Sequence, residues 1–543
     1  MQLFSDIFCH GPLLAAVQNA KLFPDSKYFV DMALRYDPVN LLGVTMQAFR
    51  QLSDPTNVQQ LKTFVDEYFL PPGSELAHCY PSDWKPYPAS LETIKDPNYR
   101  LWAFDVNSKW TKLCRRVKDM VRKNPQLYSL ISVPHSFIIP GGRFKEYYYW
   151  DSYWIIKGLL ASEMIGSAKN MIRNLADMIR RFGFVPNGGR IYYLNRSQPP
   201  VLTMALYDYF LQTGDLNLVK EILPLLDQEM AFWKRNRTVQ YRTDDNEVLD
   251  LFQYRVHVTY PRPESYREDE ITASILHSKK AKEQLWSNIA SACESGWDFS
   301  SRWIDMNFGP VDMHNMRTTE VVPADLNAII CGNNHKLGFL HKVVGEEAAA
   351  RQYEREFEAF KSKFYKAFWD PLDGTWYDLN LERRRRIGLF YASNIVPLFT
   401  ECTHDQTNLT EVIVEYLRRT RATDVPHGFP TSFIPSMQQW DDPNGWAPLN
   451  HMAVIGLSHS KSREAQQVAF EIAKKWLETN YMVWISRRGD MFEKYNVETL
   501  GYGVGIGGEY VVQTGFGWTN GVVLDLLLKY SDVLMAPDRP TYN

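Results

Sequence analysis

The stretch Pro140–Trp154, PGGRFKEYYYWDSYW, puts a turn (Gly141, Gly142), a cation (Arg143), two carboxylates (Glu146, Asp151) and seven aromatic rings into fifteen residues. Its second half runs into a helical pattern, so the aromatic run reads as the mouth of a helix. Paired glycines let the backbone approach a ligand closely. Flat rings accept the apolar face of a pyranose, and an arginine beside carboxylates can fork hydrogen bonds onto neighbouring hydroxyls. A Tyr-rich, half-buried helix start would have the same composition, so the stretch acquires meaning only from what surrounds it.

Outward from this stretch, helical periodicity marks Trp102–Val121, Tyr153–Ile165, Ser167–Phe182, Pro200–Thr213, Leu216–Asn236, Glu283–Glu294 and Ala324–Val344. It continues through Glu346–Trp369, Leu409–Arg421, Trp446–Leu457, Ser462–Thr479 and Thr519–Leu534. Alternating β patterns are few and short. The connections between helix pairs are rich in Gly, Pro, Trp and charge, as expected for an all-α toroid of inner and outer helices with its functional loops gathered at one end. No self-similarity at a fixed period is visible, which disfavours a solenoid of tandem repeats. Residues 1–100, where short apolar pieces alternate with proline-rich links, read as an arm or cap packed on a barrel formed by residues 101–543.

Sixty Lys and Arg against 63 Asp and Glu give a net charge of -3, with no basic footprint for nucleic acid. The apolar run Gly521–Leu528 is broken by Asp525 and is too short to cross a bilayer. The first residues lack a basic segment before an apolar core, so the chain is either cytosolic or lacks a leader that has been removed. Six scattered cysteines (Cys9, Cys79, Cys114, Cys293, Cys331, Cys402) form no CxxC motif and leave room for one or two bridges. Asn-x-Ser/Thr triplets at Asn195, Asn236 and Asn408 tilt the reading toward secretion.

Further stretches resemble the first in composition. Arg181–Pro200 offers Asn187, Arg196 and Gln198 on a stiffened loop suited to holding hydroxyls in fixed directions, although an ordinary polar turn would look similar. In Glu294–Trp303, ESGWDFSSRW, Asp298 lies between Trp297 and Phe299, where apolar rings would raise its pKa and keep the proton that a general acid must carry. The competing reading makes Asp298 a helix N-cap with Ser300 and Ser301. Glu493 has Lys494 beside it, which favours a carboxylate that stays ionised and serves as base. Gly503–Gly508 matches GxGxxG but neither follows a parallel strand nor opens a helix, so it reads as a lid carrying Glu509 and not as a dinucleotide site. There is no HExxH, and the 12 His form no ligand-like cluster; neither a metal nor a cofactor is expected.

PGGRFKEYYYWDSYW, VPNGGRIYYLNRSQPP, PRPESY, ESGWDFSSRW, QQWDDPNGWAP, EKYNV, GGEY and GFGWTNGV together resemble, in order, the signature blocks of the trehalase family of glycoside hydrolases. The resemblance covers nearly the whole chain. It implies an (α/α)6 barrel that hydrolyses α,α-trehalose to two glucoses with inversion, Asp298 being the general acid and Glu493 the general base. It further implies Arg143, Arg196 and Arg262 as active-site arginines. Phe144, Trp150, Asp151, Asn187, Gln198, Glu264, Gly296, Trp446 and Glu509 are implied to line the sugar subsites. Two other classes remain to be weighed: a toroid glycosidase acting on longer oligosaccharides, which would need an open groove, and a non-catalytic sugar binder, which would not need both Asp298 and Glu493.

Overall fold

The computed structural model describes residues 7–36, 44–243, 245–306, 311–406, 408–499 and 501–538. Among the described residues, twelve helices form two concentric rings. They are α1 (Pro97–Leu113), α2 (Tyr149–Ala161), α3 (Ile165–Phe182), α4 (Leu202–Thr213), α5 (Leu216–Asn236) and α6 (Ala324–Val343). The ring continues through α7 (Glu347–Phe368), α8 (Val396–Thr400), α9 (Leu409–Arg419), α10 (Ala447–Ser458), α11 (Arg463–Ser486) and α12 (Gly517–Lys529). The even-numbered helices touch in sequence, and α12 closes back on α2. The odd-numbered ones pack outside them, so the chain is an (α/α)6 barrel.

Hydrophobic patterning sorts the helices between the rings. Every residue of α2 except Lys157 is buried, as it must be for a helix enclosed on all sides. By contrast α3 buries Ala168, Met171, Ile172, Leu175, Ala176 and Ile179 at helical spacing, turns its charges to water, and ends on Gly183 in the left-handed region. The seam that closes the ring needs two glycines. A Cβ on Gly521 would lie 1.9 Å from the Trp154 carbonyl oxygen, and one on Gly158 would lie 2.5 Å from the Gly521 Cα. Backbone therefore packs on backbone where α2 meets α12.

Helix ends depart from the periodicity. The helix expected over Trp102–Val121 starts at Pro97, capped by Asp96, and stops at Leu113. Cys114–Val117 leaves it as a strand paired with Leu76–His78 and Phe137–Ile138, and Cys114 is bonded to Cys79. Tyr153–Ile165 is displaced toward its N-terminus, and the aromatic side chains from Tyr149 onward already lie in helix α2. A second disulfide joins Cys331 and Cys402. Residues before Pro97 contribute a separate buried cluster, including Phe29, Leu61 and Phe69, which takes in Tyr148, Tyr192 and Tyr193. No described helix is long and apolar enough to cross a membrane.

Candidate active site

The inner helices present their N-terminal ends to one mouth, and the loops that enter them line a cavity of about 650 Å³ including its opening. Arg143, Phe144, Trp150 and Asp151 arrive with the start of α2, and Asn187, Arg196 and Gln198 with the loop before α4. Arg262 and Glu264 come from the 3₁₀ turn Pro263–Ser265 and its approach, and Gly296 and Asp298 follow the helix Lys279–Glu294. A small antiparallel sheet, β1 (Asn444–Trp446), β2 (Lys494–Asn496) and β3 (Gly503–Val504), places Trp446 and holds Glu493 just before β2. Glu509 follows β3. All fourteen sequence-predicted site residues line this one cavity.

Gly296 makes the turn that presents Asp298: its φ is +79°, and a Cβ there would lie 2.7 Å from the Trp150 ring. The cap of the turn Ser301–Trp303 is supplied by Ser300, whose hydroxyl accepts from the Arg302 amide. Asp298 is thereby free of the capping role. Burial pushes its carboxyl up to about 7, against the opposing pull of Arg262. Beside it Trp297 stacks on Trp440 at 5.5 Å, Trp440 on Trp446 at 3.9 Å, and Trp518 meets Trp446 edge-on. These rings supply the apolar surroundings expected from the sequence.

Glu493 differs from expectation. Burial raises its carboxyl above the ordinary range, with Lys494 and Tyr510 opposing. Lys494 does not pair with it directly, because consecutive strand side chains point to opposite faces. The Lys494 ammonium donates instead to Gln439 Oε1 at 2.9 Å and the Gly507 carbonyl at 2.8 Å. Gln439 in turn donates to the Asp298 carbonyl at 2.6 Å, so one bridge ties the two carboxylate-bearing segments to the Gly-rich loop. Glu493 Oε1 accepts from the Tyr510 hydroxyl at 2.8 Å, while Oε2 is buried without a hydrogen-bond partner.

The arginines are held, not solvated. Asp25 binds Arg143 bidentately at 2.8 and 2.7 Å, and the guanidinium lies 4.6 Å over the Tyr510 ring. Arg196 donates to Asn187 at 2.9 Å and to Glu264 at 2.6 Å. Arg262 is anchored on Asp269 at 2.6 Å and reaches Glu509 at 2.9 Å. Arg196 Nη1 and Glu264 Oε2 are enclosed but make no hydrogen bond. A buried donor and buried acceptors left open in one cavity are what a polyhydroxyl ligand would satisfy. Glu146 instead turns away into the N-terminal cluster, bonded to Lys27 and Arg190.

Sequence reasoning missed Gln439, Tyr510, Trp518 and Cys293 as lining residues. Gln439 lies inside the QQWD block and Tyr510 directly follows Glu509, so adjacency was a usable signal. Cys293 is a free thiol contacted by Arg262 at 3.3 Å, and nothing in its local sequence marked it. Among the described residues no three His, Cys, Asp or Glu side chains are grouped to share a metal ion.

Comparison with known proteins places this architecture. The trehalase family profile matches residues 21–531. Trehalase of Oryctolagus cuniculus is 42% identical over 98% of this chain and 91% of its own length, and that of Homo sapiens is 41% identical over 98% and 90%. Among solved structures, the neutral trehalase of Saccharomyces cerevisiae superposes with a TM-score of 0.63 at 20% identity, covering 80% of this chain and 94% of that one.

Proposed function

We propose, from the premise that this chain belongs to the trehalase family and hydrolyses α,α-trehalose to two glucose molecules, that Asp298 is the general acid and Glu493 the general base of an inverting reaction. The observation that carries this assignment is the meeting of two carboxyls, Glu493 buried and Asp298 half-buried, from separate loops in one polar, aromatic-walled cavity. Asp298, pushed up to about 7, holds a proton at neutral pH and gives it to the departing glucosyl oxygen. Glu493 keeps Oε1 on Tyr510 and offers the unpaired Oε2 to a water, whose proton it takes as the C–O bond forms. Positive charge develops on the ring between them. Arg143, Arg196 and Arg262 act on hydroxyls and on neighbouring carboxylates, because a cation cannot stabilise a cation directly. Phe144, Trp150, Asp151, Asn187, Gln198, Glu264, Gly296, Trp446 and Glu509 complete the walls that orient the sugar.

Two disulfides and two exposed sequons, Asn236 and Asn408, support placing the protein in a secretory compartment. Asn195 takes no part in that argument, because its carboxamide oxygen is enclosed. The residues before Pro97, with their own core and the Asp25–Arg143 contact, support reading the first hundred residues as a cap that helps to hold the site. Activity is tested on a panel of trehalose and longer glucans with chelator present. Glucose release from trehalose alone is expected; preference for the longer chains would contradict the closed-cavity reading.

A further inference from the structure

The opposite mouth of the barrel contains a second cavity that hydrolysis does not use. It is lined by α2, α4, α6, α10 and α12 together with Phe399 and Glu401 at the end of α8. On its wall Lys336 of α6 is only 8% exposed, yet makes no ion pair or hydrogen bond with a described residue; its ammonium faces the Tyr207 ring at 5.4 Å. Lys529 and His459 stand at the rim, both exposed.

The carboxylates of this cavity have closer partners than Lys336. Lys157 lies 3.5 Å from Asp208 and 3.4 Å from Asp525. Asp208 also accepts from Tyr153 at 2.8 Å, and Asp525 meets His451 at 2.9 Å. Glu401 is half exposed and lies 3.8 Å from His459. Lys336 is left without a carboxylate at ion-pair distance among the described residues, Glu401 and Asp208 acting on it only from farther away. The partial negative charge at helix C-termini accounts for Lys529 in the last turn of α12, but Lys336 sits nearly two turns before the end of α6, beyond the reach of that effect. Burying an ammonium without a carboxylate in contact costs free energy. In keeping with this, burial lowers the Lys336 pKa, against the opposing pull of Glu401 and Asp208.

We propose that this far mouth is a binding site for a small oxyanion, held by Lys336 within the cavity and by Lys529 and His459 at its rim. Inorganic phosphate, a sugar phosphate and a carboxylate share the required chemistry. Inorganic phosphate is titrated calorimetrically into the full chain at constant ionic strength in chloride, with glucose 6-phosphate and citrate as parallel arms. Saturable binding of at least one anion is expected, with the tightest arm identifying the source. Lys336→Met should weaken it at least about tenfold, the loss expected for a charge-assisted hydrogen bond. Lys529→Gln, on the exposed rim where folding is not at stake, should weaken it a few-fold, and both variants should turn over trehalose normally without anion. No saturable binding to any of the three, or equal affinity in wild type and Lys336→Met, overturns the proposal; the latter result would place the anion on the catalytic arginines.

Discussion

Two clusters of buried charge draw on the same stretch, Pro140–Trp154, and differ in what they leave open. In the N-terminal cluster every charge meets its opposite: Lys27 lies 2.5 Å from Asp31 and 2.6 Å from Glu146, and Arg190 lies 2.8 Å from Glu75 and 3.2 Å from Glu146. Burial alone would raise the Glu146 carboxyl, but Lys27 and Arg190 hold it down at about 2. In the catalytic cavity Glu493 is buried and Asp298 half-buried, yet Asp298 is pushed up to about 7 and Glu493 keeps one oxygen unpaired. The same residue types therefore make structure where each charge faces its opposite at ion-pair distance, and chemistry where a carboxyl does not.

The sharpest way to break this contrast is to remove one carboxylate from each cluster. Asp298→Asn should lower kcat by ~10²–10⁴-fold while the fold persists, since only a proton donor is lost. Retention of more than about a tenth of the activity would take the acid role away from Asp298. Glu146→Gln should instead cost about 1.5–3 kcal/mol of stability, because Lys27 and Arg190 each lose one charged partner while keeping Asp31 and Glu75. Denaturant unfolding beside kinetics on the folded fraction separates the two outcomes. Were Glu146→Gln stable but inactive, the division into structural and chemical clusters would fail.

Smaller effects follow at the arginines. Replacing Arg143, Arg196 or Arg262 with Lys removes a planar fork that now grips Asp25 bidentately or bridges two partners, and should reduce kcat/KM by ~10–100-fold, a loss of about 1.5–3 kcal/mol. Near-normal kcat/KM in all three would mean that the forks serve only the fold.

The smallest signal is in pH. Asp298 holds its proton in the folded state to about 7, above the ordinary carboxylate value, so its contribution to stability is present below about 4 and is lost as pH climbs through about 7. Glu146, held down at about 2, contributes above about 4 and loses that contribution as pH falls through about 2. Asp298→Asn should therefore melt higher than wild type at pH 8, and the difference should vanish near pH 4. The same titration should give wild-type kcat/KM a falling limb above pH 7. A melting difference that grows toward acid would reverse the sign argued here.

How far the sequence revealed this follows from where its signals are local. Helix spacing located most of the twelve barrel helices, because an enclosed inner helix and an amphipathic outer one leave different patterns. It misplaced the end of α1, where a strand and a disulfide override propensity at Cys114. The site residues were legible where aromatics flank a carboxylate, as at Asp298. Partnerships across the fold were not. Asp25 on Arg143 spans 118 residues, and the Lys494–Gln439 bridge turns away from the carboxylate that its sequence neighbour suggested.

The account's central claim, that Asp298 and Glu493 act as separate acid and base with a water between them, is tested most directly by the anomers first released. Such a pair requires carboxyl groups roughly 6.5–9.5 Å apart, against about 5–5.5 Å for a retaining pair. Water entering opposite the leaving group turns one α-linked glucose into the β-anomer, while the departing glucose keeps its α configuration. Proton NMR of a fresh trehalose digest, read before mutarotation, should show α- and β-glucose in equal amounts. Release of α-glucose alone would demand a covalent intermediate, make one of the carboxylates a nucleophile and contradict the mechanism.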